Sequence, residues 1–256
     1  MENVHIQFEN DYAIVQINRP KANALNIALV HELIQAFDTV ASSSSVRGAI
    51  ITGQGTVFSA GIDVREMLRY SEDQVDQFWE SFANLIRDLS SFPKPLVAAI
   101  NGHSPAGGCV LALTCDYRIM AEGDFRIGLN EVPVGIVVPP PIVALASYTL
   151  GPTKAARAFL NGTLFLPDEA RDFGMIDETS PPDLVLSRAE KRLRAFLALP
   201  ENAWRKTKAT LRKPLLDRMN VPFAEGYGET ISSWWSKECR DALNRMVEAM
   251  ANKKKA

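Results

Sequence analysis

The run Leu96–Ile100 is followed by Asn101-Gly-His-Ser-Pro-Ala-Gly-Gly108 and then by the apolar stretch Cys109–Thr114, ending at Cys115-Asp116. Five consecutive apolar residues bounded by turn formers read as a strand buried on both faces. Gly102 and Pro105 turn the chain, and Gly107-Gly108 opens a helix with no polar face. A strand, a tight turn of small residues and a helix start leave backbone N–H groups unpaired at the positive end of the helix dipole. Such a place holds a phosphate, a carboxylate or the oxyanion of a reacting carbonyl.

The flanking sequence repeats that grammar. Val4, Ile6 and Phe8, then Ala13, Val15 and Ile17, alternate with polar residues around Asn10-Asp11 and predict a hairpin. Asn26 is an N-cap candidate for a helix with Leu29, Val30, Leu33, Ile34, Phe37 and Val40 on one face. Gly48–Thr52 reads as a second buried strand. A short strand and small-residue turn follow over Val57–Met67. Ser71 and Gln74 form a capping box for a long helix whose apolar stripe runs from Val75 to Leu89 and stops before Pro93. Tyr117–Met120 predicts another strand, Phe125–Gly135 a strand and loop, Pro139–Pro141 leads into a helix through Leu150, and Pro152 and Pro167 start two more. From Pro182 the periodicity is helical, with expected breaks at Pro200, Pro214 and Pro222. Strand–helix alternation to about residue 195, then helices alone, predicts an α/β core over 1–195 and a helical region over 196–256.

Charge and cysteine content narrow the function classes. With 28 Lys+Arg against 30 Asp+Glu the chain carries a net charge of −2, which offers no basic surface for nucleic acid or membrane. The Lys253–Lys255 tail reads as a solvated end. Three cysteines without CxxC spacing, and three scattered histidines, fit free core thiols in a reducing compartment rather than disulfides or a metal site. No run approaches bilayer-spanning length and the N-terminus has no secretory pattern, so a cytoplasmic protein is expected. The sequence lacks the Gly-x-Ser-x-Gly elbow of Ser–His hydrolases and the glycine fingerprints of nucleotide sites.

Two turns, Ala60-Gly61-Ile62 and Ala106-Gly107-Gly108, each present amides beside small residues. Spacing leaves each readable as a tight connection or as half of an oxyanion site. Glu131, in Gly128-Leu-Asn-Glu-Val-Pro-Val-Gly135, has apolar flanks that raise a carboxyl pKa toward that of a general base, or it is a loop glutamate at the surface. His103 reads as a packed turn residue.

Asn18–Asn26, Phe58-Ser-Ala-Gly-Ile-Asp63, Ile100–Gly108 and Cys115-Asp-Tyr-Arg118 occur in the order and spacing of the crotonase (enoyl-CoA hydratase/isomerase) superfamily, which the chain resembles over nearly its whole length. The resemblance implies a spiral of ββα units with a C-terminal helical trimerisation region, acyl-CoA thioesters as substrates, and a homotrimer or hexamer. It implies no cofactor apart from the coenzyme A carried by the substrate. The family's oxyanion hole falls on the amides of Ile62 and Gly107. Coenzyme A binding falls on Lys21, Ala22, Ala24, Ala60, Asp63 and Val64, and Asn130 lies beside the thioester or orients Glu131.

The departures are informative. Hydratases of this family carry two glutamates; here the first position is Val110 and the second is Glu131. Ser104–Arg118 and Ile127–Ile136 resemble the Δ3,Δ2-enoyl-CoA isomerases more than the hydratases, and Val137–Pro141 replaces a glycine-rich turn and is expected to line a dry acyl pocket. The implied reaction moves a double bond from 3-enoyl-CoA to trans-2-enoyl-CoA in fatty acid β-oxidation, with Glu131 carrying the proton. Hydration or another crotonase reaction assisted by a second group such as Glu66, and a non-catalytic acyl-CoA- or RNA-binding homologue, are the alternatives.

Overall fold

The N-terminal alternation produces the hairpin: β1 (Val4–Phe8) pairs antiparallel with β2 (Tyr12–Ile17). The computed structural model describes residues 1–20 and 22–252. Asn26 caps α1 (Ile27–Ser42), its side-chain oxygen accepting from the Leu29 amide at 2.9 Å. From there the chain climbs in turns. One comprises β3 (Gly48–Gly53), α2 (Val64–Met67) and α3 (Glu72–Ser90); the next has β4 (Leu96–Ile100), β5 (Ser104–Pro105) and α4 (Gly107–Thr114). A third holds β6 (Tyr117–Ala121), β7 (Ile127–Gly128) and α5 (Pro140–Leu150), and α6 (Pro152–Asn161), β8 (Leu164–Phe165), α7 (Pro167–Phe173) and β9 (Glu178–Ser180) close the series. Four helices finish the chain: α8 (Val185–Leu197), α9 (Glu201–Met219), α10 (Phe223–Trp235) and α11 (Lys237–Asn252).

Each turn contributes a long strand to a six-stranded sheet of order β1-β2-β3-β4-β6-β9, parallel after the first pair. The short strands form a second sheet, β5-β7-β8. This is the expected spiral of ββα units. Where a short strand was expected near Val57 there is only a single bridge to His103, and the strand expected over Phe125–Gly135 is two residues long. Side chains such as Glu131 beyond β7 therefore project from irregular backbone.

β3 and β4 are buried along their full length because both faces are covered. Ala49, Ile51, Ala98 and Ile100 join the main core beneath α1, α3 and α4, whereas Ile50, Val97 and Ala99 meet Val185, Ala189 and Leu193 of α8 on the other face. Helix α4 has every residue buried, which accounts for its lack of a polar face. The capping box at Ser71–Gln74 forms, and all seven residues of the expected α3 stripe are buried. Position 195 falls inside α8, a helix that packs on the sheet.

Pro214 does not break its helix. It sits within α9 on the exposed face, so the Thr210 carbonyl it leaves without an amide partner opens to water. The opposite face holds α9 down: Lys208 Nζ donates to Asp116 Oδ2 at 2.7 Å and to the Lys94 carbonyl at 3.0 Å, and Asp116 Oδ2 also accepts from the Leu96 amide at 2.8 Å. Burial lowers the Lys208 pKa and Asp116 opposes it. Replacing Lys208 with alanine leaves the buried Asp116 carboxylate only the Leu96 amide and a 3.5 Å contact with Arg212, and urea unfolding of that variant is expected to show a loss of about 3 kcal/mol. Among the described residues no helix is long and apolar enough to cross a membrane, and no group of three or more His, Cys, Asp or Glu is placed to hold a metal ion.

Candidate active site

The two glycine turns meet. Gly61, with φ of 77°, backs directly onto Gly107: a Cβ built on Gly61 would lie 3.0 Å from the Gly107 nitrogen and 3.1 Å from the Ala106 Cβ. The residues next in line, Ile62 and Gly107, carry amides with no protein acceptor among the described residues, whereas Gly61, Asp63 and Ala106 donate to Ser59 Oγ, the Leu25 carbonyl and the Gly128 carbonyl. Leu25 N donates to the Gly61 carbonyl and Asp63 N to the Leu25 carbonyl, both at 2.7 Å, which fixes the strip that bears the Ile62 amide. Gly107 begins α4, so the helix dipole reinforces its N–H. The non-glycine residues with positive φ among those described are Ala22, Asn23 and Ala106, all on the loops that meet here. Concentrated backbone strain of this kind marks sites where geometry is held for function.

Both turns open onto one cavity of about 610 Å³. Ala22, Ala24, Ala60, Ile62, Asp63, Val64, Gly107, Asn130 and Glu131 all line it; Lys21 lies outside the described residues. Its size is that of a small-molecule site and its walls are mainly apolar.

Asp63 is already engaged. Its Oδ1 caps α2 by accepting from the Glu66 amide at 3.1 Å, and its Oδ2 pairs with Arg19 Nη1 at 2.8 Å. Arg19 also donates to the Ala24 carbonyl at 2.8 Å and pairs with Glu66 at 2.7 Å. This clamps the 19–26 loop to the turn that carries Ile62. Glu66 is neither free in solvent nor at the cavity: besides Arg19 it accepts from Asn26 at 2.9 Å and from the Tyr70 hydroxyl at 2.7 Å. Burial, with help from Glu66, pushes the Tyr70 phenol up.

Glu131 differs from both. Its residue is half-buried, yet Oε2 is shut off from solvent and has no hydrogen-bond partner. Loss of hydration raises its pKa to about 7, against a weaker opposing pull from its own backbone amide. Asn130 Oδ1, on the adjacent residue, is likewise buried and unpartnered. Both residues line the cavity, so these two oxygens are placed to take hydrogen bonds from whatever fills it. Val110, 1% exposed, lines the same cavity from α4. Glu131 is thus the one cavity-lining carboxylate not committed to an ion pair among the described residues.

The apolar wall departs from expectation. Val138 and Pro139 line the cavity, but Val137 is exposed, its amide donating to Ser233 Oγ at 3.0 Å, and Pro140 faces outward. Trp79 and Phe82 of α3 and Leu243, Met246, Val247 and Met250 of α11 complete the wall. The only mark of the α11 residues in the sequence is their i, i+3, i+4, i+7 spacing, which gives an apolar helix face without saying what it meets. Trp234 is fully buried within the chain, whereas Trp235 is partly exposed. His103 is a packed turn residue, its Nδ1 accepting from the Arg126 amide at 3.1 Å against the Phe125 ring. All three cysteines are free and buried.

Comparison with known proteins identifies the family of the chain. The family profile described as enoyl-CoA hydratase/isomerase matches residues 7–248. Mouse mitochondrial enoyl-CoA delta isomerase 1 is 35% identical over 94% of this chain and 84% of its own length. The Escherichia coli 2,3-dehydroadipyl-CoA hydratase is 33% identical over 69% of this chain and 68% of its length. The crystal structure of human mitochondrial delta3-delta2-enoyl-CoA isomerase superposes with a TM-score of 0.94 at 32% identity, covering 98% of this chain and 99% of that one. With the crotonase spiral, the paired glycine turns and a profile match across nearly all its length, this chain is a member of the enoyl-CoA hydratase/isomerase family.

Proposed function

We propose that the protein shifts the double bond of a 3-enoyl-CoA to give the trans-2-enoyl-CoA, with Glu131 as its single proton carrier. The carrying observation is that Glu131 is the cavity-lining carboxylate left uncommitted, poised near neutrality in a cavity that Val110 also lines. The Glu131 carboxylate removes a proton from C2. The C–H electron pair becomes the C1–C2 double bond of a dienolate, whose oxygen takes hydrogen bonds from the Ile62 and Gly107 amides. The C3=C4 pair of the dienolate then takes the proton from Glu131 at C4, the C1=C2 pair becomes C2=C3, and the enolate oxygen re-forms the thioester carbonyl. Hydration requires a water held and activated on one carboxylate and a proton from another. Valine supplies neither function, and Asp63 is held by Arg19 and the Glu66 amide.

In this reading Ala22, Ala24, Ala60, Asp63 and Val64, together with Lys21, border the pantetheine and nucleotide of the substrate's coenzyme A, and no separate cofactor is needed. The acyl chain lies along Trp79, Phe82, Ile142 and Met246. Assembly as a trimer or hexamer, and a role in the oxidation of unsaturated fatty acids, belong to the same proposal.

The test is a panel of 3-enoyl-CoA thioesters of graded length assayed beside 2-enoyl-CoA. Isomerisation without comparable hydration is the expected outcome; rapid hydration would move the protein to the hydratase side of its family. The pH profile gives a second check. Glu131 must be ionised to accept the C2 proton, so kcat/KM should hold above pH 7 and fall tenfold per unit below it, following the raised pKa of about 7.

A further inference from the structure

Ala106 occupies backbone that glycine would adopt more readily. Its φ of 47° and ψ of −121° lie outside the ordinary left-handed basin, in a region where a Cβ is strained. The conformation is pinned on both sides. The Ala106 amide donates to the Gly128 carbonyl at 2.8 Å, and its carbonyl accepts from the Val110 amide at 3.0 Å. Because a trans peptide sets the next N–H opposite to that carbonyl, the Gly107 amide points out of the α4 ladder. The Ala106 methyl faces the cavity and sits 3.1 Å from where a Cβ on Gly61 would be, so it fills the seam between the residues that precede the two amide donors. A glycine at 106 would remove the strain and empty that seam.

We infer that Ala106 is a positioning residue for the oxyanion site: its strained backbone aims the Gly107 amide, and its methyl, seated against Gly61, sets the gap between the Gly107 and Ile62 amides. The inference rests on the isomerase reading for its kinetic consequence, but the oxyanion site can be observed separately. A 3-ketoacyl-CoA has an acidic C2, and its enolate absorbs in the near ultraviolet when a protein stabilises the charged oxygen. That band reports the two amides without any double-bond migration.

The experiment compares the parent, Ala106→Gly and Ala106→Ser with 3-enoyl-CoA and with acetoacetyl-CoA. In Ala106→Gly, kcat falls at least tenfold while KM stays within about twofold, because the lost interaction belongs to the transition state. The acetoacetyl-CoA enolate band weakens in step, and the melting temperature is equal to or above the parent's because strain has been released. Ala106→Ser, which keeps the Cβ, retains most of the parent's band and kcat. An unchanged kcat and band in Ala106→Gly overturns the inference, as does a fall in melting temperature with a parallel rise in KM, which would make the residue structural. Absence of the band in the parent removes the oxyanion site and this inference together. A parent that shows the band without isomerising 3-enoyl-CoA refutes the proposed reaction and leaves the role of Ala106 to be read from the band alone.

Discussion

Replacing Glu131 with glutamine should lower the isomerisation rate by about 10⁴-fold with little change in acyl-CoA affinity. Glutamine matches the shape of the carboxyl but neither accepts the C2 proton nor returns it to C4, so both transfers assigned to this residue fail. General acid–base steps contribute roughly 10²–10⁴-fold in rate, and the upper end applies where one group performs two of them. Affinity measured by calorimetry with a saturated acyl-CoA should hold, because the cavity walls and the Ile62 and Gly107 amides are unaltered. Full activity in this variant would falsify the single-carboxylate mechanism.

The same substitution carries a stability signature of opposite sign. Glu131 in the folded protein has a pKa of about 7 against an ordinary 4.5, so the native state holds its proton more tightly than the unfolded chain. That preference stabilises the parent below pH 4.5 and is lost as pH rises to 7, where the carboxylate ionises in a dry cavity. Above pH 7 the ionised group costs the parent up to about 3 kcal/mol that glutamine avoids. Urea midpoints should therefore be similar near pH 5 and higher for Glu131→Gln near pH 8. An inactive but more stable variant is the pattern of a functional group held in an unfavourable environment.

Gly61→Ala should reduce kcat about 10²–10³-fold. The added Cβ would lie 3.0 Å from the Gly107 nitrogen and 3.1 Å from both the Ala106 Cβ and the Pro105 carbonyl oxygen, and it would sit on backbone with φ of 77°. Backbone atoms cannot yield as a flexible side chain does, so the two turns must part and one amide donor leaves the oxyanion position, a loss of about 3–4 kcal/mol. Gly55 separates the causes. Its φ is 79°, yet nothing lies within 4 Å of a Cβ built there. Gly55→Ala should lose about 1 kcal/mol of stability from conformational strain and keep its kcat. Equal kinetic effects from the two alanines would mean that strain, rather than contact between the turns, controls the site.

Much of the framework was legible because its causes are local. The Asn26 cap, the Ser71–Gln74 box and the α3 stripe depend on residues three or four apart, and each formed where the pattern put it. Buried strands betrayed themselves as unbroken apolar runs. Failures came where local pattern met a distant partner. Pro214 stayed helical because Lys208, Arg212, Leu215 and Met219 anchor the opposite face of α9, two of them through Asp116 in another part of the chain. Val137 left the pocket for Ser233 on α10, and α11 took its place on the wall. Nothing near Lys237–Asn252 in sequence announces a cavity formed by residues more than seventy positions away.

By itself, the amino-acid sequence determined the strand–helix alternation, the two glycine turns, the valine at 110 and the glutamate at 131, since these are matters of residue type and short-range spacing. Tertiary structure decided what those residues can do. It pressed Gly61 against Gly107 so that two amides face one cavity. It tied Asp63 and Glu66 to Arg19 and removed them from acid–base chemistry. It also dried the surroundings of Glu131 until its pKa reached about 7. Hydration, field and contact are properties of the space around a group, and that space is assembled from segments the chain order keeps far apart.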